Sequence, residues 1–315
     1  MKKIKIDFVD FWVGFRNEEN FIISTLRNHY QIIIDSKNPE YLFYSSFGGK
    51  HFQYSQAVKI YFSGENDIPD FNLCDYGISC SHLLFQNRHF RLPLYSLSEN
   101  YNKLFQKSFS SEKVLKRKFC NFVYSNSLIS DPIRETFFHR LSKYKKVDSG
   151  GKHLNNIGKP VINKLDFIQD YKFTIAFENS AIDGYTTEKI IDPMLVNSIP
   201  IYWGNSKINL DFNTQSFINV MNYQSIDEAI ERIIFLDNND EAYLEMLSQS
   251  WFHEEKKIDF KDELSRFLKN IIETPKDKSK HTTNYGFIQY YRKKVQIGNV
   301  LYKNKLFGPL LKKLI

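Results

Sequence analysis

The sequence predicts a parallel α/β protein, on three observations. First, the stretch Tyr171–Asn205 holds a short β-branched and aromatic run (Lys172–Phe177), a set of apolar residues at helical spacing (Ile190, Ile191, Met194, Leu195) and a second buried-looking run, Ile199–Trp203. Joined by short connections, these make a right-handed strand–helix–strand crossover. Second, strand-like runs alternate with helix-like ones along the first part of the chain, which argues for a parallel sheet. Third, 315 residues with 42% hydrophobic and 16% aromatic content are enough for two ordinary cores.

Taken in order, Ile4–Val9 alternates apolar and polar residues and reads as a strand, and Phe21, Ile22 and Leu26 place a helix within 19–28. Gln31–Ile34, Tyr41–Ser45 and Val58–Phe62 read as further strands, with the Gly48–Gly49 pair in a loop. Asp75–Ser79 and Arg91–Tyr95 close this region, and 96–118, rich in Ser, Lys and Asn, reads as a linker with a boundary near Lys116. Phe119–Tyr124 is the next strand. Asp131 then caps a helix that has Pro132 at its first position and Phe137, Phe138 and Leu141 on its buried face. Gly150 and Gly151 permit close backbone approach to a ligand. Ile226, Ile230, Ile233 and Ile234 mark an amphipathic helix, and two more helices are expected over 240–248 and 260–273.

The chemistry concentrates after the strand Lys172–Phe177. In a parallel sheet, ligands bind outside the carboxyl ends of the strands, where Glu178, Asn179, Tyr185, Glu188 and Lys189 fall. Gly184 is available for an unusual backbone angle, and Thr186 or Thr187 caps the following helix, which Pro193 should kink or shorten. Lys189 in the first turn opposes the helix dipole, which makes sense if it meets an anion such as a phosphate. Glu188 would be repelled by that phosphate and should address a sugar hydroxyl or developing positive charge. On helix statistics alone the pair reads equally as a dipole-favouring glutamate beside a solvated lysine. Arg134, also in a first turn, raises the same question of a bound anion. Glu65 follows the strand Val58–Phe62, and by position alone a glutamate there is more often a turn or ion-pair residue.

The segments FENS, YTTEK and IPIYWG, together with IYFSGENDIPDFNLCDYGISC and SNSLISDPIRETFFHRLSKYKKVDSGGKHLNN, resemble the α-1,3-fucosyltransferases of glycosyltransferase family ten, in particular the bacterial Lewis-antigen branch. The resemblance covers most of 58–250. It implies a GT-B fold: two Rossmann-like domains facing a central cleft, with a C-terminal helical tail. The expected divisions are an acceptor domain over 1–115, a GDP-fucose domain over 116–275 whose later helices pack back on the first, and a tail over 276–315. The implied reaction is inverting transfer of L-fucose from GDP-fucose to the 3-hydroxyl of N-acetylglucosamine in a LacNAc-type acceptor, in Lewis-type, lipopolysaccharide or capsule glycan synthesis. Carried over residue by residue, Glu65 is the general base and Glu188 holds the fucose ring and offsets oxocarbenium-like charge. Arg134 and Lys189 receive the diphosphate, and Asn179, Tyr185, Ser125 and Asn126 are further donor contacts. Ser63 stands where the family often has threonine. The rival readings are a transferase of this fold with another nucleotide sugar or acceptor, and a catalytically silent protein that binds nucleotide sugar or membrane.

No cofactor beyond the donor substrate is expected. The chain has no Asp-x-Asp triplet, the usual divalent-ion site of nucleotide-sugar enzymes, and its histidines show no ligand spacing. Cys74, Cys80 and Cys120 are odd in number and fit no zinc pattern. The net charge of +7 is uneven: 276–315 hold ten Lys/Arg against one acid, leaving the other 275 residues with 33 basic and 35 acidic side chains. That distribution argues against a nucleic-acid docking face. The basic, aromatic tail reads as an interfacial anchor on anionic lipid. Gly298, Gly308 and Pro309 speak against one long helix there. With Asp7 and Asp10 interrupting any signal-peptide core and no apolar stretch long enough to span a bilayer, the expected location is cytoplasmic, peripheral on the inner face of the bacterial cytoplasmic membrane.

Overall fold

The computed structural model describes residues 1–125, 130–253, 259–283 and 285–303. The chain forms two compact units, Met1–Leu92 with the segment from Asp259 onward, and Pro93–Ile258.

The first unit begins with β1 (Lys2–Val9), whose solvent-facing start gives way to a fully buried end. In α1 (Phe21–Arg27), the Asn20 side chain accepts from the Ile23 amide at 3.0 Å. The helix buries Ile22, Ile23 and Leu26, with Phe21 only half-buried. β2 (Tyr30–Ile34), β3 (Tyr41–Tyr44), β4 (Val58–Phe62), β5 (Tyr76–Ser79) and β6 (His89–Arg91) follow, and the six strands pair in parallel in the order β2-β1-β3-β4-β5-β6.

The second unit contains α2 (Ser111–Leu115), β7 (Lys118–Phe122), α3 (Ile133–Leu141), β8 (Val147–Ser149), α4 (Lys164–Ile168), β9 (Tyr171–Phe177), α5 (Glu188–Leu195), β10 (Ile199–Trp203), β11 (Ile218–Asn219), α6 (Ile226–Asp237) and α7 (Asp240–Ser248). Its parallel sheet runs β11-β10-β9-β7-β8. β9 is buried along its whole length, as a central parallel strand should be. The expected cap falls one residue later: Pro132, not Asp131, is the N-cap of α3 and lies just outside the helix, while the Asp131 side chain precedes it and accepts from the Ile133 amide at 2.9 Å. Pro193 sits inside α5, which ends two residues later at Leu195. α6 turns Ala229, Ile230, Ile233 and Leu236 inward, leaving Ile226 and Ile234 at its edges.

The chain then rejoins the first unit through α8 (Phe260–Glu273), α9 (Lys276–Ser279) and α10 (Phe287–Lys303). α8 buries Phe260, Leu264, Leu268, Ile271 and Ile272, and its Ile272 carbonyl accepts from Lys2 Nζ (3.1 Å) and the Tyr41 hydroxyl (3.2 Å).

These units move both expected boundaries. Residues 96–118, expected as a linker, are packed into the second unit, and the packing starts just before them. Tyr95 stacks edge-on with Phe212 at 4.9 Å, Phe105 lies on Phe252 at 4.6 Å, Lys107 Nζ donates to the Gln249 carbonyl at 2.6 Å, and Leu104 and Val114 are buried. The Ser/Lys/Asn composition hid these scattered anchors. The stretch 259–275 groups with the first unit, as expected of the later helices, so that the second unit itself ends near 258 and not 275. α10 runs through Gly298, where a Cβ would meet nothing within 4 Å, so this glycine does not break the helix. Gly308 and Pro309 lie outside the described residues. No described helix is long and apolar enough to cross a membrane.

Candidate active site

In both sheets a strand added on one side of the first gives way to strands added on the other, so β1/β3 and β7/β9 are the points where strand order reverses. Ligands bind outside the carboxyl ends of strands at such points.

At the end of β9 in the second unit, the backbone amide of Glu178 donates to the Trp203 carbonyl at 2.8 Å, extending the β9–β10 ladder by one residue. Its side chain is fully buried and accepts from the Thr187 amide (2.8 Å), the Thr187 hydroxyl (2.8 Å to Oε2) and Lys189 Nζ (3.1 Å). Loss of water outweighs these contacts, so burial pushes the Glu178 carboxyl above its ordinary 4.5, opposed by the Lys189 charge and the Thr187 donors. Thr187 caps α5, its Oγ1 accepting from the Lys189 amide at 3.4 Å. Gly204 lies against the carboxylate: a Cβ there would come within 2.6 Å of Glu178 Cγ, at φ +153°. Asn205 closes the loop, its Oδ1 accepting from the Gly184 amide (2.8 Å, with Gly184 at φ +88°) and its Nδ2 donating to Thr186 Oγ1 (3.0 Å). The three sequence segments FENS, YTTEK and YWGN are therefore one hydrogen-bonded assembly.

Arg134 is 1% exposed and braces this assembly from α3. Its Nη2 donates to the carbonyls of Phe177 (3.2 Å) and Glu178 (2.9 Å) and to Asn179 Oδ1 (2.9 Å), and its Cζ lies 4.1 Å from the Tyr124 ring centroid. The Asp131 amide donates to the Asn179 carbonyl at 2.8 Å, tying the start of α3 to the end of β9.

The expected donor residues thus divide. Arg134, Asn179 and Lys189 are joined through Glu178 and its carbonyl. Lys189 has its anion inside the protein, and its side chain remains 15% exposed. Glu188 stands in the open, 58% exposed, with Oε1 3.9 Å from Lys189 Nζ. Tyr185 is buried, Ser125 is exposed just after β7, and Asn126 lies outside the described residues. The close approach at Gly151 is to protein and not to ligand: a Cβ there would fall 1.8 Å from the Tyr124 carbonyl oxygen. Glu178 itself lay in the expected loop with no role assigned to it. A carboxylate preceding a capping threonine and a first-turn lysine was the available signal.

In the first unit, Glu65 is exposed in the loop after β4, its amide donating to Ser63 Oγ at 3.0 Å. At the β1/β3 reversal lies a cavity of about 360 Å³ lined by Phe8, Phe11, Trp12, Phe15, Phe47 and Lys50, among others. Phe11 and Phe15 stack at 3.9 Å, and Trp12 stays 42% exposed at the rim. Aromatic faces with a polar edge suit the apolar faces of a sugar ring. The aromatic density of FVDFWVGF, directly after β1, was the missed signal. Among the described residues no group of His, Cys, Asp and Glu is placed to hold a metal ion.

Two parallel α/β units with their polar sites at strand-order reversals make a GT-B-type glycosyltransferase fold. The chain belongs to glycosyltransferase family 10: the family model "Glycosyltransferase family 10 (fucosyltransferase) C-term" matches residues 114–285, and "Alpha-(1,3)-fucosyltransferase FucT N-terminal domain" matches 6–98. The chain is 35% identical over 266 residues to the alpha-(1,3)-fucosyltransferase FucT of Helicobacter pylori, covering 71% of this chain and 55% of that protein. It is 29% identical over 185 residues to GDP-fucose protein O-fucosyltransferase 3 of Xenopus laevis, covering 53% of this chain and 39% of that one. It spans about half the length, or less, of these relatives. Crystal structures of an α1,3-fucosyltransferase with GDP and with GDP-fucose match with TM-scores of 0.74 and 0.73 at 29% identity, over 87% of this chain and 91% and 92% of theirs.

Proposed function

We propose that this protein transfers L-fucose from GDP-fucose to the 3-hydroxyl of N-acetylglucosamine in a LacNAc-type glycan, with inversion. The observation that carries the reading is the Glu178–Thr187–Lys189 assembly at the β7/β9 reversal, formed by residues within the matched fucosyltransferase segment. It holds the α5 N-terminus open towards a diphosphate, with Lys189 partly exposed beside it. In this mechanism the acceptor oxygen forms its bond to the fucose anomeric carbon as the bond to the GDP oxygen breaks. The acceptor proton passes to Glu65, and the negative charge appears on the leaving GDP. Lys189 and the α5 amides stabilise that charge, and Arg134 keeps the loop in register. Glu188 faces the sugar, where its carboxylate offsets positive charge on the ring. Asn179, Tyr185 and Ser125 shape the donor site, and the aromatic cavity at β1/β3 takes acceptor sugar. With cationic groups supplying the compensating charge, the transfer needs no divalent ion, and activity should survive EDTA.

The tail adds a location. α10 leaves Phe287, Tyr290, Ile297, Val300 and Leu301 exposed among Lys293 and Lys294. Such a face lies on anionic lipid, each basic residue there contributing about 1 kcal/mol. The protein then works at the inner face of a bacterial cytoplasmic membrane.

The test is GDP release from GDP-fucose with LacNAc, a type-1 disaccharide and a folded protein acceptor, with linkage and anomer read by NMR. An α-1,3-linked product on LacNAc is expected, together with a 10²–10⁴-fold loss of kcat in Glu65→Gln. Turnover with UDP-galactose but not GDP-fucose, or fucose attached only to protein hydroxyls, overturns the assignment.

A further inference from the structure

Lys59 is a lysine in the middle of a central, fully buried parallel strand, β4, and is itself only 2% exposed. Lysine is almost never buried so completely unless it is paired. Its backbone amide donates to Asp75 Oδ2 at 2.8 Å, but among the described residues its Nζ makes neither a hydrogen bond nor an ion pair. The nearby acid is otherwise engaged. Asp75 accepts from the His281 amide (2.7 Å), the Thr282 amide (2.6 Å) and Lys280 Nζ (3.5 Å).

Lys59 lines a cavity of about 220 Å³ whose other walls are Phe52, Ser55 and the inner edge of α10: Gln289, Arg292, Lys293 and Gln296. Among the described residues the lining carries three cations, two amides and a hydroxyl, and no carboxylate. Burial, reinforced by Arg292 and Lys280, pulls the Lys59 ammonium down to about 8, so it is still charged at neutral pH. α10 approaches this part of the unit through polar contacts: the Tyr291 hydroxyl donates to Asp70 Oδ2 at 2.7 Å, and Arg292 Nη2 reaches the Asn72 carbonyl at 3.5 Å. A multivalent anion would relieve the repulsion between Lys59 and Arg292 and bridge strand to helix.

We propose that this cavity is a binding site for a phosphate group, held by Lys59, Arg292 and Lys293, which fastens α10 to the first unit. The site is separate from the donor assembly, which lies in the other unit, and does not depend on the proposed reaction. Two sources offer the same chemistry, free inorganic phosphate and the phosphomonoester headgroup of a lipid.

The full-length protein is melted in potassium phosphate and in potassium chloride at matched ionic strength and pH 7, and separately with vesicles of phosphatidylcholine containing phosphatidic acid or phosphatidylglycerol. The expected result is a rise in Tm of several degrees in phosphate over chloride. That rise is lost in Lys59→Met and reduced in Arg292→Gln, but retained in Lys189→Met, which separates it from any donor-site phosphate. Lys59→Met removes an unpaired buried charge and keeps an unbranched side chain only one atom shorter, so it should fold at least as well as wild type and keep its kcat. If the response comes only from phosphatidic acid vesicles, and Lys59→Met abolishes it, the occupant is the lipid monoester. No response to phosphate or to phosphatidic acid overturns the proposal, as does a response that Lys59→Met retains.

Discussion

Replacing Glu178 tests the central assembly, because glutamine and alanine should behave very differently. Burial raises the carboxyl above 4.5 despite Lys189 and Thr187, so loss of water costs the charged group more than these contacts return. Glu178→Gln removes that charge, keeps an acceptor for the Thr187 amide, and leaves Lys189, at 15% exposure, able to turn to water. Its cost at pH 7 should be at most about 1 kcal/mol. Glu178→Ala instead strips the acceptor from the Thr187 amide and hydroxyl in a buried site. Each orphaned donor costs about 1–3 kcal/mol, and because the hydroxyl can redirect we take about 2–4 kcal/mol in total. At about 2–4 °C per kcal/mol for a unit of this size, Tm should fall by on the order of 10 °C. The pH dependence has a definite sign. Between 4.5 and the raised folded value the native state holds the proton more tightly than the unfolded chain, so this group's contribution to stability falls as pH rises through that window. Glu178→Gln lacks the slope, so the Tm of wild type relative to the variant should decline from pH 4 upward. Thermal melts followed by circular dichroism every half unit measure this. Equal losses for Gln and Ala, or a difference that grows in the opposite direction with pH, would refute the claim that burial dominates this carboxylate.

Three further outcomes follow from the geometry. If the proposed donor site is right, Lys189→Met removes one charge-assisted contact to a diphosphate, worth about 1.5–3 kcal/mol, so GDP should bind roughly 10- to 150-fold more weakly by calorimetry while the fold is kept. Gly204→Ala places a Cβ 2.6 Å from Glu178 Cγ at φ +153°, and should lower Tm more than the same change at Gly298, which meets open space. Trp12→Ala removes a partly exposed wall of the aromatic cavity and should raise KM for the acceptor several-fold, with KM for GDP-fucose unchanged. A matching change in donor KM would count against an acceptor role for that cavity.

Much of this molecule is carried by local pattern. β9, α5 and β10 could be read from β-branched runs, a capping threonine and helical spacing, because a strand buried on both faces and a helix buried on one leave those periods in the residues themselves. The residues of the loop between β9 and α5 could be picked out for the same reason: they are contiguous. The partners of those residues could not. That Lys189 turns back on Glu178 across one loop, that Gly204 exists to clear the Glu178 side chain, and that Arg134 grips three carbonyl and amide oxygens are contacts outside any local period, made when β9 pairs with β10 and α3 packs beside them. The unit boundary near Leu92 is of the same kind. Composition marked 96–118 as polar, while Phe105 lies on Phe252, Tyr95 just before the segment lies on Phe212, and Leu104 is buried, through packing that no local window contains. Lys59 makes the point most sharply: its strand was legible, but the burial of its ammonium among other cations arises only once α10 folds back over β4.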